Sequence, residues 1–203
     1  QNEDDNRLKL LATMLLTVRG TPYIYYGEEI GMRDIKVPRK EIQDPVGKRY
    51  WPFYKGRDGC RSPMQWNASV NSGFSTGTPW LPIHPNHSVR NVANQLSSPA
   101  SLLNFYKQLI QIRRQQLSLQ RGDLELVSEP NKNLLVYKRV LADETCLIIL
   151  NFARDIQSFE LPVETVNQWD LIFAGNDAIT SQMNANTVSL PAYGVAILVS
   201  RMT

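Results

Sequence analysis

Apolar residues near the start of the chain recur with the period of a helix. They stand three or four residues apart and so share one helical face: Leu8, Leu11, Ala12 and Leu15. Asp4 or Asp5 can cap the start of this helix, and Gly20 can end it in the left-handed conformation that glycine adopts readily. The pattern therefore predicts a helix that runs to about Arg19.

A short strand is expected directly after this helix. Thr21 and Pro22 break the helical pattern, and residues 23–26 (YIYY) are aromatic and β-branched, which favours a strand. A helix, a brief turn and a strand are typical of an alternating α/β fold. Because a lone strand leaves its backbone edges unpaired, we expect this segment to be the closing unit of a larger α/β structure.

Residues 27–96 follow neither the helical nor the strand period. Connections longer than about 15 residues are usually functional or disordered. Disordered segments contain few aromatic residues, whereas this one contains several: Tyr50, Trp51, Phe53, Tyr54, Trp66, Phe74 and Trp80. We therefore predict an ordered loop assembly over a functional site.

The last part of the chain changes from a helical pattern to a strand pattern. Ser97 or Ser98, with Pro99 at the first helical position, can open a helix that ends near Leu117. Short apolar runs separated by Asn, Asp, Gly and Pro then predict strands at residues 123–127, 134–140, 145–152, 158–162, 169–174, 186–190 and 194–200. Such a series favours an antiparallel β-sandwich. The boundary falls near Leu119, which predicts domains at residues 1–118 and 119–203.

Composition excludes several classes of protein. The net charge is +3 with scattered basic residues, so a concentrated nucleic-acid-binding patch is not expected. No apolar run approaches the roughly 20 residues of a membrane span. Cys60 and Cys146 stand in unlike settings without metal-ligand spacing, which favours free thiols in a reducing compartment and a cytoplasmic protein. The chain starts at Gln1, close to a helix start, and is expected to be a piece of something longer.

Long motifs resemble one known family. Residues 19–32 (RGTPYIYYGEEIGM), 42–66 (IQDPVGKRYWPFYKGRDGCRSPMQW) and 73–83 (GFSTGTPWLPI) are similar to the α-glucosidase or oligo-1,6-glucosidase branch of the α-amylase superfamily, glycoside hydrolase family thirteen. The resemblance covers nearly all of residues 7–117 in order. The β domain matches mainly in position and strand pattern. Ser62 stands where the generic motif has threonine.

The resemblance implies a fold and the position of a site. This chain would be the C-terminal end of a (β/α)8 barrel, in which residues 23–26 are the last strand and residues 98–117 the last helix. The long segment would be the loop after strand eight, and residues from 119 onward the antiparallel domain that follows such barrels. Active sites of these barrels lie at the C-terminal ends of the strands, which is where this loop begins.

The resemblance also implies which catalytic groups this chain lacks. The family cleaves α-glucosidic bonds with retention, using a nucleophilic carboxylate and a carboxylic acid about 5–5.5 Å apart. Its three catalytic carboxylates follow strands four, five and seven, all upstream of Gln1, so no catalytic residue is expected in this chain. Glu28 and Glu29 are no substitute, because adjacent residues of an extended segment point to opposite faces. No metal and no cofactor are expected.

Arg57 is the candidate substrate-binding residue. In the family, the arginine of the matching Gly-Arg-Asp motif contacts the hydroxyls of the terminal glucose, together with an aspartate from the first part of the barrel. A guanidinium suits this role because it is always charged and offers five donors in a rigid fork. A loop-folding ion pair is the alternative role. Arg61 and Trp66 are expected to hold the loop.

The resemblance implies an α-glucosidase that removes terminal glucose from α-glucosides and short malto- or isomalto-oligosaccharides. Its partners would be an oligosaccharide or disaccharide substrate and the missing N-terminal part of the barrel. A sucrose isomerase or transglucosidase on the same scaffold is one alternative. A non-enzymatic ectodomain of amino-acid transporter heavy chains is another. A free-standing sugar-binding sandwich from Leu119 onward is disfavoured, because this stretch has few aromatic residues for an exposed platform.

Overall fold

Residues 4–127, 130–161, 169–175, 183–184 and 186–201 are described by the structure, a computed structural model. The chain forms two units. The sheet unit consists of the described residues up to Tyr23 and from Phe105 onward, and the loop unit is Ile24–Asn104. Across these described ranges, no helix has the length and apolar character needed to cross a membrane.

Helix α1 (Asp5–Thr17) begins where its sequence provides a cap. The Asp4 carboxylate accepts a hydrogen bond from the Asn6 amide at 3.1 Å, which satisfies one of the free N–H groups of the first turn. The helix ends earlier than the predicted Arg19, because Val18 is already extended. Gly20 has a positive φ of 127° and lies in the segment that leaves the helix.

Residues 23–26 do not form the strand that their composition predicts. Residues 23–25 carry no regular secondary structure, and Tyr26 enters a turn. A strand exists through hydrogen bonds to a neighbouring strand, and none of the strands within the described residues pairs with this segment. Aromatic and β-branched composition alone was therefore not sufficient.

The loop unit is built from short helical pieces joined by irregular segments. It contains helices α2 (Pro45–Tyr50) and α3 (Val92–Leu96). Single 3-10 turns lie at Glu28–Ile30, Arg39–Glu41, Asp58–Arg61, Val70–Gly73 and Pro85–Ser88. The described residues of this unit contain no strand, which agrees with the missing period in the sequence.

Helix α4 (Leu102–Gln115) starts later than predicted. Ser101 caps it, because Ser101 Oγ accepts a hydrogen bond from the Asn104 amide at 3.2 Å. The expected start at Pro99 is therefore wrong, and Pro99 lies in the preceding turn. The short helix α5 (Leu117–Arg121) follows α4 directly.

The strands of the sheet unit agree closely with the predicted series. Their bounds are β1 (Asp123–Leu126), β2 (Leu134–Leu141), β3 (Glu144–Asn151), β4 (Gln157–Glu160), β5 (Asp170–Ala174), β6 (Met183–Asn184), β7 (Thr187–Leu190) and β8 (Val195–Arg201). All seven predicted strands are present. The two-residue β6 was not predicted, and Pro162 at the end of the predicted fourth strand lies outside the described residues.

These strands form two antiparallel sheets. The larger sheet has the order β1-β2-β3-β8-β5, and the smaller has the order β4-β7-β6. Apolar side chains from both sheets share one buried core: Leu134, Val136, Leu147, Ile149, Phe159, Leu161, Val188, Leu190, Ala196 and Leu198. The predicted antiparallel sandwich is therefore confirmed. Leu126 lies outside this core, because it is 72% exposed on the edge strand β1.

The second face of the larger sheet is covered by helices. Strands β3 and β8 contact α1, and strands β2 and β3 contact α5. The Phe105 ring of α4 meets the Phe173 ring of β5 edge-on, with centroids 5.0 Å apart. Strands β3 and β8 are thus buried on both faces, which explains why their sequences are continuously apolar instead of alternating.

Candidate functional site

Two buried aspartates join the two halves of the 42–66 motif. Asp44 caps helix α2, with Oδ1 accepting the Val46 amide at 3.0 Å, while Oδ2 accepts the Arg57 amide at 2.9 Å. Asp58 Oδ2 in return accepts the amides of Gln43 and Asp44 at 2.6 and 2.9 Å. Each aspartate thus binds the backbone of the other's segment, so the QDP and GRD sequences form one folded unit.

Two glycines allow these segments to approach closely. Gly56 has a positive φ of 76°, and a Cβ there would lie 2.9 Å from Asp44 Cβ and 3.0 Å from Gly47 Cα. A Cβ at Gly47 would lie 2.7 Å from the Lys55 carbonyl oxygen. Only glycine fits at such distances, and the motif needs both residues because its backbone segments touch here.

Arg57 is anchored on one edge and open on the other. Its Nε lies 3.3 Å from Asp44 Oδ2, and its side chain is 62% exposed. Among the described residues, neither of its terminal nitrogens has a hydrogen-bond partner. The loop-folding ion pair that the sequence left open is present, but it occupies only part of the guanidinium. The remaining donors can bind the hydroxyls of a ligand.

The Asp44 carboxylate remains ionised under ordinary conditions. Hydrogen bonds from the Arg57 amide, the Val46 amide and the Arg57 side chain lower the pKa of Asp44 to about 2. A permanent negative charge therefore faces the Arg57 guanidinium. This charge orients the Arg57 guanidinium. It also offsets the free-energy cost of holding that cation beside the buried Asp44 side chain.

An aromatic cavity of about 630 Å³ opens beside this motif in the loop unit. Its aromatic wall residues are Tyr25, Tyr26, Trp66, Phe74 and Trp80, and its charged wall residues are Glu29 and Arg61. Arg57 is not part of this wall. The composition, mostly aromatic with a few polar groups, is typical of small-molecule cavities.

The side chains of Arg61 and Trp66 contribute to the cavity wall. The Trp66 backbone also holds the loop, because its amide donates to the Ser72 carbonyl and its carbonyl accepts the Ala93 amide, both at 3.0 Å. Trp66 is 49% exposed, and no side-chain hydrogen bond of either residue is present among the described residues. Two polar side chains also hold this region: the buried Gln65 donates from Nε2 to the Arg90 carbonyl, and the half-buried Arg90 donates from Nη1 to the Ile30 carbonyl at 2.8 Å. Sequence reasoning missed Gln65, because a single amide within an aperiodic loop gives no pattern.

Tyr26 fixes one wall of the cavity to the Gly-Arg-Asp segment. Its hydroxyl donates to the Ser62 carbonyl at 3.0 Å and lies 3.4 Å from the Cys60 carbonyl oxygen. Burial, followed by the adjacent Tyr25, raises the pKa of Tyr26 to about 12. The phenol is therefore a neutral donor at physiological pH, with a structural role.

Glu28 and Glu29 bind the backbone of their own turn. Glu28 Oε2 accepts the Tyr25 amide at 3.2 Å, and Glu29 Oε2 accepts the Gly27 amide at 2.8 Å. Both carboxylates therefore have a structural role in the turn. The expected extended conformation is wrong, because Glu28–Ile30 is a 3-10 turn. Among the described residues, no group of three or more His, Cys, Asp or Glu side chains is arranged to hold a metal ion.

Two protein families match consecutive parts of the chain. Residues 1–122 match the α-amylase catalytic domain, and residues 124–197 match the C-terminal domain of maltogenic amylase. The first match covers more than half of the chain. The chain belongs to the α-amylase family. This result confirms the resemblance carried by the 19–32, 42–66 and 73–83 motifs, and the fold is accordingly part of the catalytic barrel followed by a C-terminal β domain.

Curated proteins with similar sequences include glucosidases. A probable α-glucosidase from Rhizobium meliloti is 36% identical over 192 residues, which is 95% of this chain and 34% of that protein. An oligo-1,6-glucosidase from Parageobacillus thermoglucosidasius is 39% identical over 172 residues, which is 76% of this chain and 31% of that protein. The chain therefore spans about a third of the length of the curated relatives that it matches.

Solved structures of the family share this fold. An α-glucosyl transfer enzyme superposes with a TM-score of 0.81 at 27% identity, covering 98% of this chain and 36% of its own. The trehalulose synthase from Pseudomonas mesoacidophila superposes with a TM-score of 0.80 at 28% identity, covering 97% of this chain and 38% of its own. An isomaltulose synthase from Klebsiella gives a TM-score of 0.80 at 27% identity, with the same coverage, 97% and 38%.

Proposed function

We propose that this chain is the C-terminal portion of a retaining α-glucosidase, and we call the full-length protein that contains it the parent. The parent removes terminal glucose from α-glucosides and short malto- or isomalto-oligosaccharides. The names of the similar proteins, a probable α-glucosidase and oligo-1,6-glucosidases, support this substrate class. We further propose domains at residues 1–118 and 119–203, supported by the change of family match between residues 122 and 124.

The geometry of Arg57 is the main support for this function. Asp44 holds Nε at 3.3 Å, and the exposed terminal nitrogens remain as parallel donors of the kind that bind adjacent sugar hydroxyls. An aspartate from the preceding part of the barrel would complete this clamp. A clamp on the terminal glucose closes the end of the pocket, so the parent acts on chain ends and not within chains.

The remaining chemistry belongs to residues upstream of Gln1. A retaining mechanism needs a nucleophilic carboxylate and an acid about 5–5.5 Å apart across the scissile bond. The carboxylates of Glu28, Glu29, Asp44 and Asp58 accept hydrogen bonds from backbone amides of the loop. They therefore serve the loop, and this chain supplies substrate binding without the nucleophile or the acid.

The test compares the parent with the isolated 203-residue chain on maltose, isomaltose and an aryl α-glucoside. We expect the parent to release glucose with retained configuration, which proton NMR of the first product detects. We expect the isolated chain to match the buffer blank. Glucose release by the purified chain would show that it holds its own catalytic groups. A parent without activity on any α-glucoside would instead favour a non-enzymatic ectodomain.

A sucrose isomerase or transglucosidase is the second candidate. It is favoured by the superposition with a trehalulose synthase and an isomaltulose synthase, each with a TM-score of 0.80. Product analysis with sucrose separates the two proposals. Hydrolysis gives equal amounts of glucose and fructose, whereas an isomerase gives a second disaccharide and a transglucosidase gives longer oligosaccharides.

A further inference from the structure

Arg139 is a buried arginine whose hydrogen bonds all go to backbone carbonyls. It lies on β2 with 0% of its surface exposed. Nη1 donates to the carbonyls of Thr17 and Leu119 at 2.6 and 3.0 Å, and Nη2 donates to the Gly122 carbonyl at 2.8 Å. Among the described residues no carboxylate forms an ion pair with it. A buried cation without a carboxylate partner requires another source of negative charge.

The ends of two helices supply that negative charge. Thr17 is the last residue of α1, Leu119 lies in the single turn of α5, and Gly122 is the C-cap of α5. The free carbonyls at a helix C-terminus carry a partial negative charge, which stabilises a cation placed there. One strand residue therefore caps two helices, both of which lie against the same sheet.

A carboxylate on the next strand holds the opposite end of α5. Glu144 Oε1 accepts hydrogen bonds from the amide and the hydroxyl of Ser118, both at 2.8 Å. Ser118 is in the first turn of α5, where the partial charge of the helix is positive. Helix α5 is thus held between an anion at its start and a cation at its end, both provided by the hairpin of β2 and β3.

We propose that Arg139 and Glu144 together fix α5 to the larger sheet, and that Arg139 additionally couples α1 to this sheet. As a result, α1 and the sheet unfold cooperatively, although α1 belongs to the proposed barrel domain and β2 to the proposed sandwich. Arg113 supports the end of α1 from α4, donating to the carbonyls of Leu16 and Gly20 at 2.6 and 2.9 Å. Arg113 does not reach the sheet in these contacts. The buried hydroxyls of Thr17 and Tyr137 form a second hydrogen bond between α1 and β2, so Arg139 shares the coupling with Tyr137 and is the only one of the two that also reaches α5.

Hydrogen exchange on the parent protein tests this coupling peptide by peptide. In the wild type, the amides of α1 and of β3 should show matching protection, because linked elements open together. Arg139→Met should accelerate exchange in the last turn of α1 and in α5 about ten- to hundredfold more than in β3, since carbonyls on both helices lose their donor. Glu144→Ala should accelerate exchange in α5 and at the end of β8 but not in α1, because Glu144 binds Ser118 of α5 through Oε1 at 2.8 Å and pairs with Arg201 Nε of β8 through Oε2 at 3.7 Å. Arg121→Met, an exposed change on α5 itself, is the matched control and should alter hydrogen exchange in neither α1 nor α5.

Two results would overturn the proposal. Equal loss of protection in α1 and β3 on Arg139→Met would make Arg139 an ordinary core residue without a coupling role. Unchanged protection would show that its hydrogen bonds are dispensable. If Arg139→Met fails to fold, Arg139→Lys replaces it: the ammonium keeps the charge but cannot span carbonyls on both helices, so α1 should still lose protection relative to β3. Wild-type protection in Arg139→Lys would contradict the need for the fork.

Discussion

The Asp44 carboxylate binds Arg57 twice, through the backbone amide at 2.9 Å and the side-chain Nε at 3.3 Å. The first contact fixes the position of the Arg57 backbone, and the second fixes the direction of its guanidinium. A donor that is already oriented loses less conformational freedom when a ligand binds. Asp44 is therefore as much a part of the candidate site as Arg57, although only Arg57 would touch the sugar.

Replacement of Arg57 should impair catalysis while the fold is retained. Losing a charged hydrogen-bond donor costs about 1.5–3 kcal/mol, so Arg57→Ala should lower kcat/KM of the parent on maltose roughly ten- to hundredfold. Arg57→Lys should restore little, because an ammonium cannot reproduce the fork. Arg39→Ala, an exposed change elsewhere in the loop unit, serves as the control. Wild-type kcat/KM in Arg57→Ala would reduce Arg57 to a loop residue.

The Asp44 contacts should make stability depend on acid pH. The pKa of Asp44 lies at about 2 in the folded protein against an ordinary value of 3.8. A lowered folded-state pKa means that the ionised group stabilises the fold above the ordinary value, and that this contribution disappears as pH falls through the folded value. The melting temperature of wild type should therefore exceed that of Asp44→Asn at pH 5, and the difference should shrink toward pH 2. An equal difference at both pH values would contradict this linkage.

Gly56→Ala should destabilise the loop unit and impair activity. The backbone at Gly56 has φ of 76°, which costs a residue with a Cβ about 1–2 kcal/mol, and the added carbon would lie 2.9 Å from Asp44 Cβ. Displacement of Asp44 should also release Arg57. Gly77→Ala is the matched control, because its Cβ would meet only Ser75 Oγ at 3.9 Å. The melting temperature and kcat/KM are measured for both variants of the parent. Equal values for Gly56→Ala and Gly77→Ala would contradict the steric conflict expected at Gly56.

The two cysteines should differ sharply in reactivity. Both thiols are free, with Cys60 exposed and Cys146 buried. Burial raises the pKa of Cys146 to about 11, and the thiolate is the reactive form. Within this chain, a disulfide reagent at pH 8 should therefore modify Cys60 rapidly and Cys146 only on unfolding. The fast phase should disappear in Cys60→Ser; a fast phase that persists there would show that Cys146 is accessible.

Sequence reasoning predicted the sandwich more closely than the helix ends. The strands could be read because each apolar run is short and bounded by Asn, Asp, Gly or Pro, which is a local signal. The start of α4 was misplaced because Pro99 fits a first helical turn, whereas the hydroxyl of Ser101 provides the cap in the folded chain. Choosing between neighbouring caps depends on the surrounding structure, which a local pattern does not contain.

The sequence by itself determined the family, the aperiodic loop and the candidate role of Arg57, because these rest on long motifs and on residue chemistry. Only the tertiary structure decided that Asp44 anchors Arg57, that Arg61 and Trp66 line a cavity, and that Arg139 is buried at the ends of two helices. The physical reason is the same in each case. These properties arise from contacts between residues distant in sequence, and a charged or polar side chain reveals its partner only when folding brings the two together.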